Sequence, residues 1–165
     1  MNKIVNSIKA LAALLSGGMG STLSAQVHYP EGSQQVFKGP EQYFSGDVQV
    51  KMVFPENPSA HYSGALVTFQ PGARTAWHQH PAGQHMVVIS GTALTGTRDG
   101  KVIRFEPGEA VWCPPDLDHW HGATQDQAMQ HLVITGSKNG QNVIWKEKVS
   151  AAVVGNDSAM RNQDE

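Results

Sequence analysis

The sequence holds a single cysteine, Cys113, in 165 residues. One thiol cannot build a disulfide framework. Placed before Pro114-Pro115 with no thiol partner, Cys113 reads as a small buried hydrophobe. Charge of one sign is also missing: 12 Lys and Arg stand against 14 Asp and Glu, a formal charge of −2. No basic stripe runs along any segment, which argues against a nucleic-acid partner. Long hydrophobic runs are absent too. The apolar stretch Ala10 to Leu15 is far short of the roughly 18 residues a membrane span needs, so no membrane anchor is expected. Finally, no convincing helical periodicity lies in the body of the chain.

What is present divides into four segments. Residues 1–25 carry Lys3 and Lys9 and no acid, then Ala10 to Leu15, then a small polar stretch ending Leu23-Ser24-Ala25. That order is the pattern of a secretory signal, with cleavage expected after Ala25 and a soluble periplasmic or secreted product. Its removal leaves ten basic and fourteen acidic residues. Residues 26–40 form a leader that adds an edge strand or wraps the body. Residues 41–148 are a single domain, all-β in style. Residues 149–165 are a polar tail, expected to fray.

Within the domain, short β-rich runs alternate with Gly and Pro punctuation. Tyr62 to Gln70 closes on Pro71-Gly72, Thr75 to His80 on Pro81-Ala82-Gly83, and Thr92 to Arg98 on Asp99-Gly100, a strong hairpin signal. Strands at this spacing indicate a sandwich or barrel. Arg98, Asp99 and Lys101 are expected at a solvated hairpin tip.

Two histidine clusters carry the chemistry. The first is His78-Gln79-His80-Pro81-Ala82-Gly83-Gln84; the second is Asp118-His119-Trp120-His121. Residues two apart on a strand share a face, so His78 projects with His80 and His119 with His121. Imidazole is the commonest metal ligand and suits Zn, Cu, Fe and Ni. His78 and His80, a nearby amide oxygen and a third imidazole from the later cluster therefore form a candidate set for one divalent metal. His85 should face away from Gln84. In Ala128 to Ile134, alternation puts Met129, His131 and Val133 on one face and Gln130, Leu132 and Ile134 on the other. His131 points to the metal if its face is the interior; otherwise it is an ordinary core histidine. Val67, Met86, Val88, Trp112 and Leu132 are candidate pocket or core walls.

Gly72, five residues, His78-x-His80, three residues, Gln84, six residues and Gly91 resemble the first cupin motif, with Gln84 where most cupins carry Glu. Gly108, five residues, Pro114 and then His119 resemble the second, with Asp116 where Gly is usual. More narrowly, Phe69 to Gln84, His119 to Ala123 and Ala128 to Leu132 look like the small bacterial cupins of the (R)-mandelonitrile-lyase-like, or cupin hydroxynitrile lyase, group. The resemblance implies a single-domain, jelly-roll-like cupin barrel. It implies one divalent metal per chain, manganese first and iron, zinc or nickel as alternatives, on His78, His80, Gln84 and His119. It places the proposed general base of cyanohydrin cleavage on His131, with the metal binding cyanide. His121 is open to three roles: orienting a ligand, meeting substrate, or acting as a further donor. Arg74 is a candidate anchor for an anionic substrate or a surface residue.

A neutral ligand set leaves a divalent ion its full charge, which favours Lewis-acid work on a small-molecule substrate. The alternatives are a non-catalytic small-molecule or metal-binding cupin and an iron-dependent oxygenase on the same ligands. A homo-oligomer, dimer or tetramer, is expected, as cupins commonly pair.

Overall fold

The computed structural model describes residues 25–150. The expected export signal up to residue 24 and the tail from residue 151 lie outside the described residues. Thirteen strands follow in order: β1 (Val36–Lys38), β2 (Phe44–Ser45), β3 (Val48–Phe54), β4 (Tyr62–Phe69), β5 (Arg74–Thr75), β6 (His78–Gln79), β7 (Gln84–Ser90), β8 (Ala93–Thr97), β9 (Val102–Phe105), β10 (Ala110–Cys113), β11 (His119–Ala123), β12 (Met129–Gly136) and β13 (Ile144–Trp145). No helix occurs among the described residues. All pairings are antiparallel. One sheet runs β1-β3-β4-β12-β7-β10; the other runs β13-β6-β11-β5-β2, with β8 against β11 and β9 against β8. The leader does supply an edge strand, β1, paired to β3. This is the all-β, single-domain, jelly-roll-like barrel that the resemblance implies.

The core lies between the two sheets. Val48, Val67, Phe69, Met86, Val88, Phe105, Cys113, Met129 and Val133 form one cluster to which both sheets contribute. The alternation expected in β12 holds: Met129, His131 and Val133 are buried, while Gln130, Leu132 and Ile134 are half-buried on the outer side. A second cluster, Trp77, Leu94, Trp120 and Val149, covers the opposite face of the second sheet. Well-packed structure therefore reaches Val149, at the start of the segment read as tail.

Several local expectations need correction. Thr75 to His80 is not one strand. Ala76 donates its N–H to Tyr43 O and Trp77 donates its own to Glu147 O, so the chain changes partners midway, from β2 to β13. Trp112 lines a pocket on the outer face and not the interior: it is 48% exposed, with its ring tilted 34° against His85 at 4.4 Å. Leu132 also faces outward. Arg98 is more than a solvated tip. Its guanidinium lies 4.0 Å over the Trp77 ring and pairs with Asp118 (3.0 Å) and Glu147 (2.6 Å), while Lys146 also pairs with Asp118. This network ties the β8–β9 hairpin to the residues preceding His119 and following β13.

Two turns bring the site together. Gly83 has φ +78° and donates its N–H to His80 O, reversing the chain between His80 and Gln84; a Cβ there would meet Trp112 at 2.2 Å. Asp116, standing where cupins usually carry Gly, adopts φ +63° itself, a left-handed conformation that Asp tolerates better than most residues. Its N–H donates to His80 O at 3.1 Å, fixing the loop before His119 against the first histidine cluster.

Candidate metal and catalytic site

Five imidazoles gather in the interior. His78 lies on β6 and His80 just beyond it, His119 and His121 on β11, and His131 on β12. Ring centroids are 4.3 Å apart for His78–His119, 5.0 Å for His78–His80 and 5.4 Å for His80–His119. One nitrogen from each of these three rings lies within 4.8 Å of the others. His119 pairs directly with His78 across β11 and β6, so strand register closes the cluster.

The hydrogen bonds fix which nitrogen faces inward. His78 Nδ1 meets Ala76 O at 3.0 Å, His80 Nδ1 meets Asn142 O at 2.6 Å, and His119 Nδ1 meets Leu117 O at 3.1 Å. A carbonyl oxygen only accepts, so each Nδ1 must carry the proton. Each Nε2 then presents a lone pair, the tautomer a metal needs. His80 Nε2, His119 Nε2 and Gln84 Oε1 are buried with no hydrogen-bond partner. Burying an unsatisfied acceptor costs about 1–3 kcal/mol. Several such acceptors in one small region are what a cation site requires. A divalent ion fits this donor set, neutral nitrogen plus one amide oxygen, and the set admits manganese, iron, zinc or nickel.

Electrostatics point the same way. Burial, reinforced by His119 and His80, holds His78 well below the ordinary histidine range. Burial lowers His80 to about 4 against the upward pull of its bond to Asn142. His119 is also lowered, again by burial. All three rings are neutral at pH 7 and available as ligands.

The remaining two imidazoles form a pair. His131 Nε2 and His121 Nδ1 are 3.0 Å apart, and Phe69 packs edge-on against both rings. His121 is held from behind by its own N–H, which donates to Thr75 Oγ1 at 3.1 Å. Burial lowers both rings, His131 to about 4 and His121 well below its usual value. His121 lines the cavity described next. His131 is fully buried and does not line it, so it reaches the cavity through His121.

That cavity, about 330 Å³, opens beside the cluster. His78, His80, Gln84, His121, Thr75 and Thr135 supply its polar floor; Val67, Val133, Phe44 and Trp145 are among its apolar walls. Tyr43 and Trp145 stack at 4.6 Å with planes 13° apart, and Trp145 also contacts the His78 ring at 4.9 Å. Among the described residues, no Asp, Glu, Lys or Arg lines it. Arg74 is not there: its guanidinium donates to Gly72 O and Val149 O, clamping the segment that follows β13.

Some contributors escaped the sequence. Thr135 accepts from Gln84 Nε2 at 2.8 Å. It continues the inward alternation Met129, His131, Val133, and that parity could have revealed it. The Tyr43–Trp145 stack and the Asn142 carbonyl come from the two ends of the domain, and no local pattern links them.

The comparisons agree with this geometry. The cupin domain family matches residues 65–135. A protein from Granulicella tundricola, named (R)-mandelonitrile lyase, is 44% identical over 119 residues, 72% of this chain and 91% of its own. A crystal structure of a cupin-like protein from Thermotoga maritima superposes with a TM-score of 0.67 at 32% identity, covering 71% of this chain and 89% of that one. A polyketide cyclase from Streptomyces resistomycificus, 16% identical, shares the fold alone, with a TM-score of 0.58 over 82% of this chain and 94% of that one. With two histidine clusters converging at the floor of a β-barrel cavity, and a relative this similar over most of its length, the chain belongs to the cupin superfamily, in the same hydroxynitrile-lyase-like group of small bacterial cupins.

Proposed function

We propose that this chain is an exported, metal-dependent lyase that cleaves or forms small cyanohydrins such as mandelonitrile. The reading is carried by one observation: neutral, carbonyl-oriented imidazoles and an unpartnered amide oxygen converge at the floor of an apolar cavity. His78, His80, Gln84 and His119 would hold one divalent ion, with manganese the expected metal. When bound, that ion supplies Lewis acidity, its undiminished +2 charge favouring the anion released in the reaction.

The chain's own residues account for the rest. The apolar walls and the Tyr43–Trp145 stack accept a flat, uncharged body and exclude water from it. Acid–base work falls to the imidazoles, as no carboxylate or cationic side chain lines the cavity among the described residues. His121 Nδ1 is engaged with His131, which leaves Nε2 for the substrate. His121 takes the hydroxyl proton, and His131 holds the ring in position and shares the charge. The oxygen's electron pair forms the carbonyl, the carbon–cyanide bond breaks with its pair on cyanide, and the proton returns to that anion. The products are aldehyde and hydrogen cyanide; the reverse sequence adds cyanide to an aldehyde. His131, assigned as general base by resemblance, thus acts through His121. The similarity to the Granulicella tundricola protein supports this choice of substrate.

The test is metal analysis of the purified protein beside His80→Ala, followed by mandelonitrile cleavage with the metal-loaded wild type. About one metal per chain, lost in the variant, with benzaldehyde release supports the lyase. Metal without release redirects the reading to a binding or oxygenase role. No metal after reloading overturns it. Periplasmic or secreted location and a homo-oligomeric state belong to the same proposal. Intact mass beginning at Gln26 and light scattering are their respective tests.

A further inference from the structure

One polar side chain on the cavity floor is used neither by the imidazole cluster nor by the His121–His131 pair. Thr135, at the inner end of β12, is buried and accepts a hydrogen bond from Gln84 Nε2 at 2.8 Å. The two strands are in register here, with Gln84 of β7 opposite Thr135 of β12, so the contact is built into the sheet. Gln84 itself is buried, and its Oε1 has no hydrogen-bond partner.

A glutamine amide has two nearly isosteric ends, a carbonyl that accepts and an NH2 that donates. Only the carbonyl can serve a cation. Turned about, the amide would offer N–H to the metal position and abolish the fourth ligand. That orientation would also leave the amide carbonyl, not the NH2, facing Thr135. Resting on the metal reading above, we infer that Thr135 is a positioning residue: its hydroxyl accepts from Nε2 and so satisfies the buried amide NH2 in the one orientation that leaves Oε1 for the imidazole cluster. A ligating carboxylate, which most cupins carry at this position, has two equivalent oxygens and needs no such device. The departure at Gln84 and the hydroxyl at Thr135 are thus two parts of one arrangement.

The test compares Mn(II) affinity of the wild type, Thr135→Val and Thr135→Ser, reading free Mn(II) by electron paramagnetic resonance. Valine keeps the shape and removes the acceptor; serine keeps the hydroxyl. Loss of a residue that orients a ligand typically weakens metal binding about 10–100-fold. Thr135→Val should show that loss, and Thr135→Ser should recover most of it. Thermal unfolding of the metal-free proteins separates this from a folding defect, and Thr135→Ala serves if Thr135→Val does not fold. Wild-type affinity in Thr135→Val, or equal losses in Val and Ser, overturns the inference. A wild type that binds neither Mn(II) nor another divalent ion overturns the metal reading instead, and the inference falls with it.

Discussion

Lowering the pH on metal-free protein should unfold it well before its carboxylates titrate. His80 and His131 are buried and neutral, each lowered from 6.5 to about 4. A folded-state pKa below the unfolded value means that the unfolded chain binds more protons over the interval between them. The stability these groups permit is therefore complete above pH 6.5, is lost as pH falls toward 4, and changes no further below that. Each pH unit is worth about 1.4 kcal/mol per group, so each ring costs about 3 kcal/mol across the interval. Two such rings together approach the ~5–15 kcal/mol that holds a typical domain folded. His78, His119 and His121 shift in the same direction and steepen the fall. The lowered carboxylates Asp99 and Glu147 are exposed and add little. Urea unfolding of chelator-treated protein, followed by tryptophan fluorescence at half-unit steps from pH 7 to pH 4, measures the effect. His131→Asn removes one titrating group and should flatten the slope by up to about 1.4 kcal/mol per pH unit. A midpoint that does not move between pH 7 and pH 4.5 would refute the buried, neutral state of the cluster.

Other outcomes follow from single contacts. Saturating Mn(II) at pH 7 should raise stability by about 2.7 kcal/mol at a hundredfold excess over Kd, with the gain shrinking toward pH 5 as protons compete for the rings; a pH-independent gain would place the ion elsewhere. Gly91→Ala forces a Cβ to 2.0 Å from Ala128 O at φ +70°, and should cost about 1–3 kcal/mol in denaturant titration. Asp116→Gly should leave Tm within a few degrees, because glycine adopts φ +63° freely; Asp116→Val should lower it by more, since β-branched residues resist that conformation. Trp145→Ala should raise KM for aryl cyanohydrins more than it changes metal content, as it removes a wall and not a ligand.

Much of the site was legible because strand periodicity is short and exact in its parity. Placing His78 with His80, and His131 with Met129 and Val133, needs only alternation, and both placements hold in the folded chain. Turn chemistry was legible at Asp99-Gly100 for the same local reason. What local rules could not supply was partner choice across the fold. The break at Ala76-Trp77 follows from Tyr43 and Glu147, residues more than thirty positions away on either side. Trp112 has the composition of a core residue, yet β10 lies at a sheet edge with that side outward. Likewise, that His121 stands between His131 and the cavity depends on how two distant strands stack, which neither segment records.

The cavity is assembled from two sources with different freedom to change. Its floor comes from central strands, where register and tautomer are locked together. Its mouth comes from the chain's outer portions: Phe37, Pro40 and Tyr43 arrive from the N-terminal side, Asn142, Val143 and Trp145 from the C-terminal side. Substitutions at the rim can reshape what enters while the reactive floor stays as it is. The two parts meet where Trp145 pairs with His78 across β13 and β6 and where His80 Nδ1 donates to Asn142 O. Through these contacts a segment some sixty residues further along the chain orients two of the imidazoles, so the geometry of the centre depends on strands far apart in sequence being docked together.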